Sequence, residues 1–278
     1  GSGVYSSKNV GTTAYTINNV FLGGTDAANY RYTAGNISGN NGVITAAPIS
    51  ISGLAASNKV YDAGLTAVIT GTPTVQGTLG SDLVTVSGTA SSGSFVTANV
   101  GTAIVVTPNL SGLNLNDANY QISGVTTQLS ANITAAPITA TINRVYNGST
   151  AVDNRDIAIT GVAGQTLTLA SGTATLTNPY VGSAGLSSLN GATLSDGTGL
   201  ATNYTLVNPT GIVTITPATL SISASNAVKV YDTYTTVTNA TTAPVAIVSS
   251  GTLFTNSTTG IIDSLSGGVF TYLTSDAG

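Results

Sequence analysis

Apolar and polar residues alternate along most of the chain. Ile49-Ser50-Ile51-Ser52, Leu83-Val84-Thr85-Val86, Thr166-Leu167-Thr168-Leu169, Thr173-Ala174-Thr175-Leu176 and Ile212-Val213-Thr214-Ile215 all carry this pattern. A period of two sends successive side chains to opposite faces of a strand. Gly, Asn, Asp, Ser and Pro interrupt the runs about every 8 to 12 residues, which is turn spacing. No stretch carries an apolar stripe at the helical period, and the excess of Val, Ile and Thr works against helices. The pattern predicts an all-β chain of short strands, about six to eight per repeating unit, as a β-sandwich needs.

The strands recur in longer blocks. Asn9-Val10-Gly11 returns as Asn99-Val100-Gly101 and, more weakly, as Tyr180-Val181-Gly182. Asp26-Ala27-Ala28-Asn29-Tyr30 returns as Asp117-Ala118-Asn119-Tyr120 and Ala201-Thr202-Asn203-Tyr204. The run Ile44 to Ile49, with Pro48, is copied from Ile133 to Ile138, with Pro137, and again from Ile215 to Leu220, with Pro217. Lys59-Val60-Tyr61-Asp62 becomes Arg144-Val145-Tyr146-Asn147, followed by Gly148, and Lys229-Val230-Tyr231-Asp232. The landmarks keep one order at intervals of about 80 to 90 residues. That period is too long for a solenoid coil and suits a small independent β-domain.

Each Pro follows one Thr-rich strand and precedes another, a place for an edge or a junction rather than a central strand, because proline has no N–H to give a ladder. Phased from Pro to Pro, the chain reads as a partial repeat 1–47, full repeats 48–136 and 137–216, and a partial repeat 217–278. Phased from the aromatic strand shared by Val4-Tyr5, Ser94-Phe95 and Val269-Phe270, it reads as 1–90, 91–177 and 178–266 with a surplus strand 267–278. In that phase, the surplus strand is a candidate for self-association by strand addition to a neighbouring chain. The expected architecture is a tandem array of Ig-like sandwiches forming an elongated rod, with a smaller β-grasp relative as the alternative topology.

Composition narrows the chemistry. Charged residues are 6% of the 278, with ten Asp, no Glu, and no His, Cys, Met or Trp. This removes the Ser-His-Asp triad, the Cys nucleophile, the usual zinc and haem ligand sets and any disulfide. The expectation is therefore a chain that is not an enzyme and needs no cofactor. A net charge of −4, with its six cations dispersed, argues against nucleic acid as a partner. No apolar run approaches the length of a membrane span. Lack of Cys and Met leaves nothing easily oxidised, which suits an exported, extracellular scaffold.

The repeated positions admit a binding reading and a structural one. Tyr61, Tyr146 and Tyr231, like Tyr30, Tyr120 and Tyr204, would stack on a surface glycan if exposed. Otherwise each packs its ring in the core, bonds the backbone through its hydroxyl, and leaves the neighbouring Asp or Asn (Asp62, Asn147, Asp232, Asn29, Asn119, Asn203) to close a turn. Calcium would need several carboxylates together, and Asp153 with Asp156, around Arg155, is the tight pair available. A flat Thr array for ice binding would need a shorter period, and a Lys–Asn isopeptide at Lys59 or Lys229 would need a cross-sheet partner.

The motif Lys-Val-Tyr-Asp opening a Thr-rich strand, followed by Asn-Val-Gly, Asp-Ala-Asn-Tyr and Ile-Thr-Ala-Ala-Pro, resembles the YDG and MBG-type repeats of bacterial surface adhesins, including filamentous haemagglutinin-like proteins exported by two-partner secretion. None of Tyr61-Asp62-Ala63, Tyr146-Asn147-Gly148 and Tyr231-Asp232-Thr233 is a full Tyr-Asp-Gly. The resemblance implies an extracellular stalk at the bacterial cell surface, with neighbouring repeats as its first partners. It would project an adhesive tip in cell attachment, or, as the alternative, assemble a biofilm filament by strand exchange.

Overall fold

The computed structural model describes residues 2–33, 35–182, 184–236 and 240–268. Strands dominate it, joined by loops and four single-turn 3-10 helices. The chain divides into two compact units, Gly1–Thr134 and Ala135–Gly278.

The first unit opens with β1 (Ser2–Tyr5), β2 (Gly11–Asn18) and β3 (Ile37–Ile44), an antiparallel three-stranded sheet. The next strands are β4 (Ala47–Ala56), β5 (Lys59–Val60), β6 (Thr66–Gln76), β7 (Val86–Gly88), β8 (Ser92–Phe95), β9 (Gly101–Pro108), β10 (Leu113–Leu115), β11 (Tyr120–Val125) and β12 (Leu129–Thr134). Seven of them form one sheet in the order β11-β4-β6-β8-β9-β12-β5, and β7 pairs with β10 as a separate ribbon. The interior pairs are antiparallel, but the first and last segments run parallel, with Ile49 opposite Ile122 and Lys59 opposite Ile133. Because β4 and β5 are one chain segment broken only at Ser57–Asn58, both edges of the sheet are held by the same stretch, and the sheet curls into a half-barrel.

The concave face is filled by the inward half of the alternation. Ile49, Ile51, Ala67, Ile69, Phe95, Val106 and Ile133 are all buried. Each large one contributes about 1.5–3 kcal/mol by leaving water. The β7–β10 ribbon joins this core through Val86 and Leu113, which pack with Ile51, Leu54, Ala90 and Ile122.

The second unit repeats the plan. Its strands are β13 (Ala136–Val145), β14 (Ala151–Val152), β15 (Ile157–Thr160), β16 (Thr166–Leu176), β17 (Leu186–Asp196) and β18 (Tyr204–Thr216). They form the order β14-β16-β15-β13-β18, with β17 on β16, and β13 runs parallel to β18 from Ala136 opposite Tyr204 to Val145 opposite Thr216. Every second residue of β13 is buried: Ala136, Ile138, Ala140, Ile142 and then Arg144. A guanidinium thus occupies the last inward position of a core strand. Beyond them, β19 (Ser221–Ala224) pairs with β22 (Ala246–Ser250), and β20 (Val228–Lys229) with β21 (Ala240–Thr242).

The all-β class expected from alternation holds, as curled half-barrel sheets. Pro48 and Pro137 are exposed and lie where β4 and β13 have a partner strand on one side only. Pro217 is also exposed and follows the end of β18. The surplus strand 267–278 lies, from residue 269 onward, outside the described residues.

Candidate functional site at the signature turn and the repeat junctions

The repeated Lys-Val-Tyr-Asp block builds one turn three times. In the first full repeat the Tyr61 ring is buried at 5% exposure, and its N–H donates to Thr134 O at 2.8 Å, extending the β5–β12 ladder. Asp62 Oδ1 then accepts from the Gly64 N–H at 2.8 Å, an Asx turn. Lys59 Nζ donates to Asp62 Oδ1 and to Gly64 O, both at 2.6 Å, and sits 5.3 Å from the centre of the Phe95 ring. Lys59 is therefore committed to its own turn.

In the second repeat Asn147 Oδ1 accepts from the Ser149 N–H at 3.1 Å, and Arg144 donates through Nη1 to Ala151 O at 2.7 Å and through Nη2 to Ser149 O. In the third, Asp232 Oδ1 accepts from the Tyr234 N–H at 3.0 Å and pairs with Lys229 Nζ at 2.5 Å, and that Nζ donates to Tyr234 O and Thr236 O. A cation two residues before the Tyr holds the turn's carbonyls; the residue after the Tyr holds an amide.

The third letter of the signature also has a physical basis. Ala63, Gly148 and Thr233 all adopt left-handed backbone, with φ of 64°, 74° and 70°. Glycine takes this region freely, and a β-branched residue there is strained. Thr233→Gly should therefore stabilise the chain by ~1 kcal/mol, and Ala63→Gly by less. Thermal unfolding of the two variants checks this, and no rise for Thr233→Gly would mean that the turn relaxes without strain.

The turn's acid has a pH signature. The Lys59 ammonium, and after it the Gly64 N–H, hold the Asp62 carboxyl below its ordinary value of 3.8. A depressed folded-state value contributes stability above 3.8 that is lost as pH falls through it. Asp62→Asn, which copies the second repeat, should lower stability at neutral pH and converge with wild type in acid. Equal stability of the two chains at neutral pH would show that the pair contributes nothing.

The tyrosines of the Asn-Tyr blocks act as anchors. Tyr120 and Tyr204 are each buried at 6% exposure. The Tyr120 hydroxyl donates to Asp82 Oδ2 at 2.7 Å and accepts from the Leu79 N–H at 3.1 Å; the bond to Asp82 raises its pKa. The Tyr204 hydroxyl donates to Gln165 Oε1 at 2.6 Å. With Tyr61, these rings offer no stacking face to a sugar. Tyr30 and Tyr231 are exposed at 72% and 60%, Asn29 is exposed, and Asn203 is buried.

Two junctions between repeats use the remaining landmarks. In the first unit the Asn119 carboxamide accepts from the Val10 N–H at 2.8 Å and donates to Asn9 Oδ1 at 3.4 Å. Asn119 is itself fixed by Asp117 Oδ1 on its N–H at 2.9 Å, and its carbonyl accepts from the Ala47 N–H at 2.8 Å. One side chain thus ties the Asn-Val-Gly turn of the partial repeat to the Asp-Ala-Asn-Tyr turn of the next.

In the second unit the signature turn itself docks. Ser257 N–H donates to Gly148 O at 2.7 Å, and Thr150 N–H to Ser257 Oγ at 3.0 Å. The Tyr146 ring meets Phe254 edge-on at 6.0 Å, and its hydroxyl donates to Asp263 Oδ2 at 3.2 Å. Burial, then Asp263, pushes the Tyr146 pKa up. A groove of about 400 Å³ remains beside it, lined by Tyr146, Tyr180, Val181, Pro217, Phe254 and Asp263 among others.

Of the acid pair singled out for calcium, Asp153 is engaged by Arg155. Asp153 accepts from the Arg155 N–H, Nε and Nη2 at 2.9–3.1 Å, which brings its pKa down to about 2. Among the described residues no three of His, Cys, Asp or Glu gather as a metal site, and no helix is long and apolar enough to cross a membrane.

A family model for the YDG domain matches residues 45–128 and again 130–211, together more than half of the chain. The chain belongs to the YDG domain family. No curated protein and no solved structure matches it. The two YDG matches take in the signature turns at Tyr61 and Tyr146 and most of the strands of each curled sheet. The partners of these YDG landmarks are not legible in the sequence. Asp82 and Gln165 stand at equivalent loops with unlike side chains, and Phe254, Ser257 and Asp263 lie in the most diverged repeat. Asn9 and Asn119 were visible as landmarks, but nothing in either block names the other.

Proposed function

We propose that the chain is a stalk segment of a secreted bacterial surface adhesin of the filamentous haemagglutinin-like type. It is extracellular and has no catalytic role of its own. Tandem YDG domains, each an Ig-like β unit phased from Pro to Pro, form an elongated rod that holds an adhesive tip away from the cell. The observation that supports this best is the Asn119 clasp: a repeated landmark residue is spent on joining one repeat to the next. The low charge, the absence of Cys and Met and the buried anchor tyrosines agree with a scaffold role.

Small-angle X-ray scattering over a concentration series tests the reading. Three units of sandwich size should give a concentration-independent particle on the order of 120 Å long. Asn119→Ala should leave the melting of the strands nearly unchanged while broadening the distance distribution. A compact particle would sink the rod. Growth in length with concentration would instead favour the filament assembled by strand exchange, the alternative reading of the same repeats.

A further inference from the structure

The second YDG domain carries an unusual charge arrangement. Arg144 is buried at 6% exposure on the inward face of β13, and its Nε has no hydrogen-bond partner among the described residues. At the same place in the turn, Lys59 has Asp62 and Lys229 has Asp232, each three residues on. Arg144 has Asn147, which brings no charge. Burial therefore lowers the Arg144 pKa, with Asp156 opposing at longer range.

Asn147 is followed by Gly148, and this dipeptide is the one most prone to spontaneous deamidation, because glycine has no side chain to shield its nitrogen. The sequence holds two other Asn-Gly pairs, Asn41-Gly42 and Asn190-Gly191. Both lie within strands, β3 and β17, at register shifts of the ladder: Gly42 pairs with Thr13 and Asn190 with Thr173, while Gly191 is left-handed with φ of 61°. Asn147 lies in a loop, is exposed to water, and sits in an Asx turn that folds its amide back over the following peptide.

We propose that Asn147 is a self-processing site, converted to aspartate so that the turn of the second YDG domain acquires the ion pair its two siblings have. The Gly148 backbone nitrogen loses its proton and bonds to Cγ of Asn147. The Cγ–Nδ2 bond breaks, and ammonia leaves. Water then opens the five-membered imide between Cγ and the Gly148 nitrogen, giving the carboxylate. Overall one water is consumed and one ammonia released, with no redox change. The new carboxylate keeps the bond from the Ser149 N–H, as Asp62 does with Gly64, and stands three residues after Arg144, the spacing at which Lys59 and Lys229 pair with Asp62 and Asp232. The reaction is irreversible, so repeats already exported would carry a neutralised core cation that newly made ones lack.

The test is to hold the purified, folded chain at mildly alkaline pH and follow all three Asn-Gly sites by peptide mapping and mass spectrometry. Asn147 should convert several-fold faster than Asn41 and Asn190, and the product should be mainly α-linked aspartate. Conversion of Asn147 no faster than the strand sites, or a product that is mainly isoaspartate, overturns the proposal. Asn147→Asp provides the second arm. It should raise the melting temperature by roughly 2–4 °C at neutral pH, and the gain should vanish on acidification through the carboxylate range. No gain, or a gain that persists in acid, would show that no ion pair with Arg144 forms.

Discussion

Tyr61→Ala is expected to destabilise the first unit by about 3–5 kcal/mol. The ring is 5% exposed, and its backbone extends the parallel ladder to Thr134. Removing it leaves a cavity beside the β5–β12 pairing, where the ladder holds the backbone in place and little can collapse inward. The same change at Tyr231, which is 60% exposed, should stay within ~0.5 kcal/mol. Urea denaturation of the two variants, read with hydrogen exchange at β5 and β12, makes the comparison. A folded Tyr61→Ala chain of unchanged stability would overturn the anchor role and reopen a binding role for the position.

Gly148→Val should be nearly as damaging, for two separate reasons. Its backbone is left-handed, with φ of 74°, which costs a side-chain-bearing residue ~1–2 kcal/mol. A Cβ there would also run into Thr255 O and the Phe254 side chain, so the loop at 252–263 must move away. That movement gives up the Ser257–Gly148 and Tyr146–Asp263 bonds, and the total loss should exceed ~3 kcal/mol. Exchange should quicken at residues 252–263 while the β16–β17 hairpin keeps its protection. Unchanged exchange in that loop would mean that the signature turn does not hold it.

These effects show where the sequence was legible. Alternation located strands such as β13 because its buried face is strict, and the Asx turns after Tyr61 and Tyr146 followed from residue type alone. The parallel pairing of β4 with β11 was invisible, since a period of two says which face is buried and not which strand lies alongside. The burial of Arg144 was not legible either: nothing in its residue type points inward, and the register of β13 alone places it there. Identical Asn-Tyr blocks also had different fates. Tyr120 finds Asp82 and Leu79 in the loop between β6 and β7, whereas Tyr30 is 72% exposed. Burial depends on what covers a residue, which local sequence does not encode.

The parallel first and last strands bear on how a repeat meets tension. A repeat pulled through the chain is gripped at the start of its first strand and the end of its last. In the second repeat those points are Ala136 and Thr216, at opposite ends of the β13–β18 ladder. Force then runs along the strands and loads the cross-strand bonds together, in shear, instead of peeling them one by one. A domain so built yields only when the ladder fails as a whole, so the load is shared among many weak bonds acting at once.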